Sequence, residues 1–153
     1  MSIHRHALAL VFAMALTTGG MEMSRAQSAM AAEPPVEVVA VIEDYFHGTF
    51  DADRTRLERA FHADAHIVGF LGDGLSDETA EQFIARIAAG PSQADRGETF
   101  RKRILDARLT DNAGMVIAEV YVANRRFVDY ITLLKIDGRW KIRNKSFTTP
   151  AWP

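Results

Sequence analysis

The chain contains no cysteine in 153 residues. Disulfides, thiolate metal sites and a cysteine nucleophile are therefore excluded, and the core must hold the fold unaided. Proline is scarce: Pro34-Pro35 enter the folded part, Pro150 and Pro153 close it, and Pro91 alone interrupts it. Charge of one sign is lacking too. A formal net charge of −2 gives no global reason to expect nucleic acid or an anionic membrane as partner. No apolar run reaches the roughly 20 residues of a membrane-spanning helix. There is no internal repeat and no low-complexity tract. Gly69-Phe70-Leu71-Gly72-Asp73-Gly74 lacks the lysine and following helix start of a phosphate-cradling loop. Ser76 and Ser146 lack a nucleophile-elbow context, and no pair of spaced carboxylates for glycoside hydrolysis stands out.

What is present begins with a targeting pattern. His4, Arg5 and His6 precede a short apolar run, Ala7 to Leu16, which stops at Thr17-Thr18-Gly19-Gly20. Small residues follow, with cleavage expected after Ser24-Arg25-Ala26 or Ala29-Met30-Ala31. This is the order of a secretory signal peptide. We therefore expect residues 1–31 to be a signal peptide and the protein to be exported, periplasmic or secreted, with no membrane association after cleavage. Without a cysteine there is nothing to acylate. Residues 32–153 are the size of one domain with one core.

Val36, Val39, Ile42 and Phe46 recur at helical spacing, with Pro35 suited to the first turn and Gly48 to a stop. A second short helix is expected over about Asp53 to His62, and a strand over Ala65 to Leu71. Ser76 is placed to cap a third helix that carries Asp77 and Glu78 in its first turn and ends at Gly90-Pro91. Phe100 to Leu109 is extended. Val116–Ala123, Arg126–Ile136 and Arg139–Phe147 alternate with period two and form a meander. Helices before an antiparallel sheet read as α+β, three N-terminal helices packed on one face of a strongly curved sheet. A sheet curved over helices makes a cone whose open end is a ligand cavity.

The residues Tyr45-Phe46-His47-Gly48, Ala60-Phe61-His62-Ala63-Asp64-Ala65, Phe127-Val128-Asp129-Tyr130 and Asp137-Gly138-Arg139-Trp140-Lys141-Ile142 carry a family resemblance. Together with Leu133-Leu134-Lys135 and Asn144-Lys145 they resemble the NTF2-like superfamily, within it the Putative lumazine-binding group near the SnoaL-like proteins. The resemblance spans about Val36 to Phe147. It implies a conical α+β fold, often dimeric, but no single activity, because relatives include isomerases, cyclases, dehydratases, hydrolases and non-catalytic binders. Lumazine itself comes only with the family label, since no residue reads as a specific pterin or flavin contact. No cofactor is expected.

Asp137-Gly138 is a strong type I′ hairpin signal, and the turn sets the register. Ile136 then pairs with Arg139, Tyr130 with Lys145, Asp129 with Ser146 and Ile131 with Asn144. With Asn124-Arg125 as the preceding turn, Val120 falls beside Asp129. Phe127, Ile131, Leu133, Trp140 and Ile142 thus share a buried face, and Asp129, Asn144 and Ser146 continue it towards the open end. Lys135 lies over the Trp140 indole. Glu119, Tyr130 and Lys145 make an outward row, an exposed ladder or part of a homodimer face. A bulge near Asn144 would instead turn Lys145 inward in place of Ser146.

A carboxylate in apolar surroundings must find donors, and in this one they could be Ser146, Asn144, backbone amides, Arg101 or Arg103. Asp129 could equally touch ligand or act as a general base. Tyr45 can lend its hydroxyl to the cavity, and His62 can serve as a proton partner. His62-x3-His66 has a metal-ligand offset only on a helix, and a turn is expected there, so no metal site is expected. The leading expectation is a small, largely apolar ligand bound by Tyr45, His62, Phe127, Asp129, Ile131, Trp140, Asn144 and Ser146. The rivals are a SnoaL-like isomerase, dehydratase or cyclase with Asp129 as base, and a non-catalytic dimerisation or interaction module.

Overall fold

The computed structural model describes residues 33–151, so the segment read as a signal peptide lies outside the described residues. Helix α1, Val36–Phe50, follows Pro35, and it buries Val38, Ile42, Tyr45 and Phe46 at three- and four-residue spacing. It does not stop at Gly48. Gly48 is buried where the next helix crosses; an added Cβ would sit 2.8 Å from Leu57 Cδ2. Helix α2, Arg54–Ala60, starts at Asp53, whose carboxylate accepts the Arg56 backbone N–H. Strand β1, Phe61–Leu71, begins four residues earlier than the sequence suggests and takes His62 into the sheet.

A second difference follows at once. Gly74–Thr79 is not a turn leading into a helix cap but an edge strand, β2, paired antiparallel with β1 from Leu71↔Gly74 to His66↔Thr79. Thr79, not Ser76, caps α3, Ala80–Ala88, in a reciprocal box with Gln82. The α3–β3 loop folds back onto α1, where the N–H groups of Gln93 and Ala94 donate to the Phe50 carbonyl. Strands β3, Arg101–Thr110, β4, Ala113–Val122, β5, Arg125–Ile136, and β6, Arg139–Thr148, then form the meander.

The six strands make one sheet in the order β2-β1-β6-β5-β4-β3. The expected α+β class holds, with two corrections. The sheet is mixed, because β1 runs parallel to β6, and only part of the helical layer precedes the strands, because β1 and β2 separate α2 from α3. The core lies between the three helices and the inner sheet face, where Ile42, Leu57, Ile67, Ile131, Leu133 and Ile142 are all but fully buried. Among the described residues no helix is long and apolar enough to cross a membrane.

The turns decide which side chains enter this space. Asp137 and Gly138 both have positive φ, 49° and 77°, as a type I′ turn requires, and Ile136 pairs with Arg139 as expected. The β4–β5 turn is Ala123-Asn124, at φ 49° and 57°, rather than Asn124-Arg125. Asp129 therefore faces Ala118, and Val120 faces Phe127. That slip moves pairs by an even number of residues and leaves every face unchanged. The β5–β6 ladder differs in kind. Leu133 pairs with Ile142 but Thr132 with Asn144, so Arg143 is an extra residue on β6. Beyond it every β6 side chain changes face.

A cavity floored by a buried Tyr–Asp–Lys cluster

The bulge at Arg143 turns Lys145 and Phe147 inward and leaves Asn144 and Ser146 exposed on the outer face. The expected cavity roles of Asn144 and Ser146 are corrected accordingly, and the outward row loses Lys145. Lys145 is 4% exposed and its ammonium donates to Asp129 Oδ1 at 3.2 Å and to the Tyr45 hydroxyl at 3.0 Å. The Tyr45 hydroxyl in turn donates to Asp129 Oδ2 at 2.7 Å. Asp129 is fully buried, so both its oxygens are served by groups from other elements. Neither Arg101 nor Arg103 supplies them.

Three aromatic faces surround the same ammonium. The rings of Phe147, Tyr45 and Phe83 lie 4.5, 5.1 and 5.7 Å from Lys145 Nζ. Burial comes first among the causes that hold the Tyr45 phenol well above its ordinary value of 10.0, followed by the Asp129 charge and its hydrogen bond.

Above this cluster opens a cavity of about 410 Å³, within the range that holds small organic ligands. Tyr45 and Lys145 contribute to its floor, and Asp129 sits behind them, outside the lining. Phe46, Phe50, Phe83, Phe100, Phe127 and Phe147 contribute rings to its walls, beside the aliphatic Ile67, Leu71, Ile87, Val120 and Val122. Phe50 and Phe100 stack at 4.3 Å with planes 5° apart. Of the apolar residues expected to line the pocket, only Phe127 does so. Ile131 and Trp140 are buried in the core away from the cavity, with Lys135 Nζ 5.9 Å from the Trp140 ring. His62 also lies away from it, in β1, where its Nδ1 accepts the Asp64 backbone N–H at 3.2 Å. His66 stands beside Asp77 on the paired strand β2. Among the described residues no group of three or more potential ligands is arranged to hold a metal.

Several polar lining residues were not anticipated. Glu78 on β2 and Arg86 on α3 form a two-pronged pair with both contacts at 2.7 Å. That hydrogen bonding from Arg86 is the chief cause holding the Glu78 carboxyl below its ordinary value, against the opposing effect of burial. Thr49, Ser76, Gln93, Arg96 and Arg125 complete the polar part. Gln93 Oε1 is buried and accepts no hydrogen bond. Nothing local marked Gln93.

On the outer face, Glu119 is fully buried beneath Arg103 and Arg126, at 2.5 and 2.6 Å. Burial pushes its carboxyl up, but hydrogen bonds from Arg126, Arg103 and Tyr121 prevail and hold it below the ordinary value.

Comparison with known proteins gives a consistent picture. The family model described as Putative lumazine-binding matches residues 33–148. No curated protein matches the chain. Among solved structures, the chain is similar to an NTF2-like protein of unknown function from Silicibacter pomeroyi, at 27% identity and a TM-score of 0.67, covering 74% of this chain and 93% of that one. NTF2-like proteins of unknown function from Shewanella baltica and Methylobacillus flagellatus share the fold, at 22% and 24% identity and TM-scores of 0.65 and 0.63. These cover 76% and 79% of this chain and 93% and 98% of theirs.

Proposed function

The chain belongs to the Putative lumazine-binding family of the NTF2-like superfamily, and from that premise we propose that its cone binds a small, largely apolar organic molecule. The observation that carries this reading is the open cavity of about 410 Å³ to which six phenylalanines contribute, floored by Tyr45 and Lys145. The ligand's body would lie against Phe100 and Phe127, above the Tyr45 and Lys145 floor. The family description names lumazine. Its flat ring suits a cavity with phenylalanine rings in its walls, so it belongs among the first compounds tried.

A thermal-shift screen of aromatic and alicyclic metabolites, lumazine included, tests the reading. Wild type is compared with Val122→Trp, which fills the lining from a half-buried position. Ligands should raise the wild-type melting temperature and leave the variant unmoved. Equal shifts in both proteins would remove the cavity as the binding site.

A catalytic reading has one observation in its favour: a phenol and an ammonium converge at the cavity floor. An isomerase, dehydratase or cyclase would then use Asp129 as base through the Tyr45 hydroxyl. Turnover of any ligand found, lost in Asp129→Asn, would establish it; binding without turnover in either protein would defeat it.

Two further properties belong to the same proposal. Export rests on the N-terminal pattern, and a mature chain that still starts at Met1 would overturn it. Association through the outer sheet face rests on Met115, Tyr130 and Leu134, which lie exposed on that face, and sedimentation velocity would read it as a dimer.

A further inference from the structure

The cavity's charges do not balance, and the imbalance has a direction. Four cationic side chains line it, Arg86, Arg96, Arg125 and Lys145, against the single carboxylate Glu78. Arg86 is held by Glu78 through both its prongs, and Lys145 is held by Asp129 behind the wall. Each of those charges is therefore answered. Among the described residues no carboxylate lies in ion-pair contact with Arg96 or Arg125. The chain as a whole carries −2, so two arginines without a carboxylate partner in one cavity lining are a local feature against the global sign.

Both arginines sit on fixed backbone. Arg96 belongs to the loop that Gln93 and Ala94 tie to the Phe50 carbonyl, and its Nη2 donates to the Pro91 carbonyl at 2.9 Å. Ser92 Oγ further caps that turn by accepting the Asp95 N–H. Arg125 follows directly on the two-residue Ala123-Asn124 turn and pairs with Val122. Guanidinium groups bind carboxylates with charge-assisted, often paired hydrogen bonds.

We propose that the molecule this cavity selects is an organic anion, with an apolar ring body among the phenylalanines and a carboxylate held by Arg96 and Arg125. This rests on the ligand-binding reading above and adds the chemical class.

The test uses the purified protein and two probes of one shape, 2-naphthoate and its neutral counterpart 2-naphthamide, measured by calorimetry and by naphthalene fluorescence. Two charge-assisted contacts predict that the carboxylate binds at least about tenfold more tightly than the amide. The preference should shrink between 50 mM and about 500 mM salt, because the arginines are partly in water. Arg96→Gln and Arg125→Gln should each lower naphthoate affinity several-fold and leave naphthamide affinity unchanged. Arg125→Lys should recover part of the loss. Both side chains are exposed, and circular dichroism melts would show the variants folded.

If naphthamide binds as well as naphthoate, or if the arginine variants weaken both probes alike, the anion assignment falls while the cavity reading stands. If neither probe binds wild type, both fall.

Discussion

Lys145 and Asp129 form an ion pair removed from water, and its energetics can be worked out. Removing one member strands the other as a buried charge, which costs about 3–5 kcal/mol. Lys145→Met leaves the Asp129 carboxylate with only the Tyr45 hydroxyl, and Asp129→Leu leaves the Lys145 ammonium with that hydroxyl and three ring faces. Each single variant should therefore lose about 3–5 kcal/mol, on the order of 10–20 °C in melting temperature. The double variant strands no charge. Its remaining cost is the unpaired Tyr45 hydroxyl and imperfect packing, about 1–3 kcal/mol. The double variant should thus be more stable than either single one, with a coupling of several kcal/mol. Urea unfolding followed by circular dichroism on all four proteins measures this. Single losses below about 1 kcal/mol, or additive losses, would show that the pair is not desolvated as described.

Three other substitutions follow from the same geometry. The Tyr45 phenol is raised in the folded state, so the stability it contributes is complete below pH 10 and is lost as pH rises through the folded value. Tyr45→Phe should flatten the alkaline limb of the stability curve, and the difference in 295 nm absorbance between the two proteins should show Tyr45 ionising only as the wild type unfolds. Glu119 is depressed, so its contribution is present above the ordinary value of 4.5 and lost as pH falls through the folded one. Glu119→Gln should therefore lose stability at neutral pH and less at pH 3, which acid titration of the urea midpoint would record. At Gly69 an added Cβ would overlap the Phe147 carbonyl oxygen across the β1–β6 ladder. Gly69→Ala should cost about 1–3 kcal/mol or more in the same unfolding assay.

How much of this was legible depends on parity. Asp137-Gly138 announced its turn because both positions favour positive φ, and the faces of β5 followed from it. The β4–β5 turn was placed one residue late because Ala123, a poor candidate for positive φ, occupies the first turn position. That shift preserved the faces, so Asp129 still came out buried. The extra residue at Arg143 did not preserve them. Alternation alone does not locate such a residue, but the bulge expected near Asn144 as the alternative is the one that occurs, and Lys145 rather than Ser146 is the partner of Asp129. β2 was hidden for a different reason: as a short, polar edge strand it lacks alternation, and Ser76 looked like a cap. The parallel pairing of β1 with β6, and the tie between Phe50 and the loop bearing Gln93, are long-range facts that no local pattern encodes.

The most direct test is a crystal structure of the protein grown with saturating 2-naphthoate. The account predicts a ring among Phe100 and Phe127, its carboxylate at Arg96 and Arg125, with Lys145 turned inward onto Asp129 and Tyr45. A cavity without naphthoate, with Lys145 directed to solvent, would contradict it.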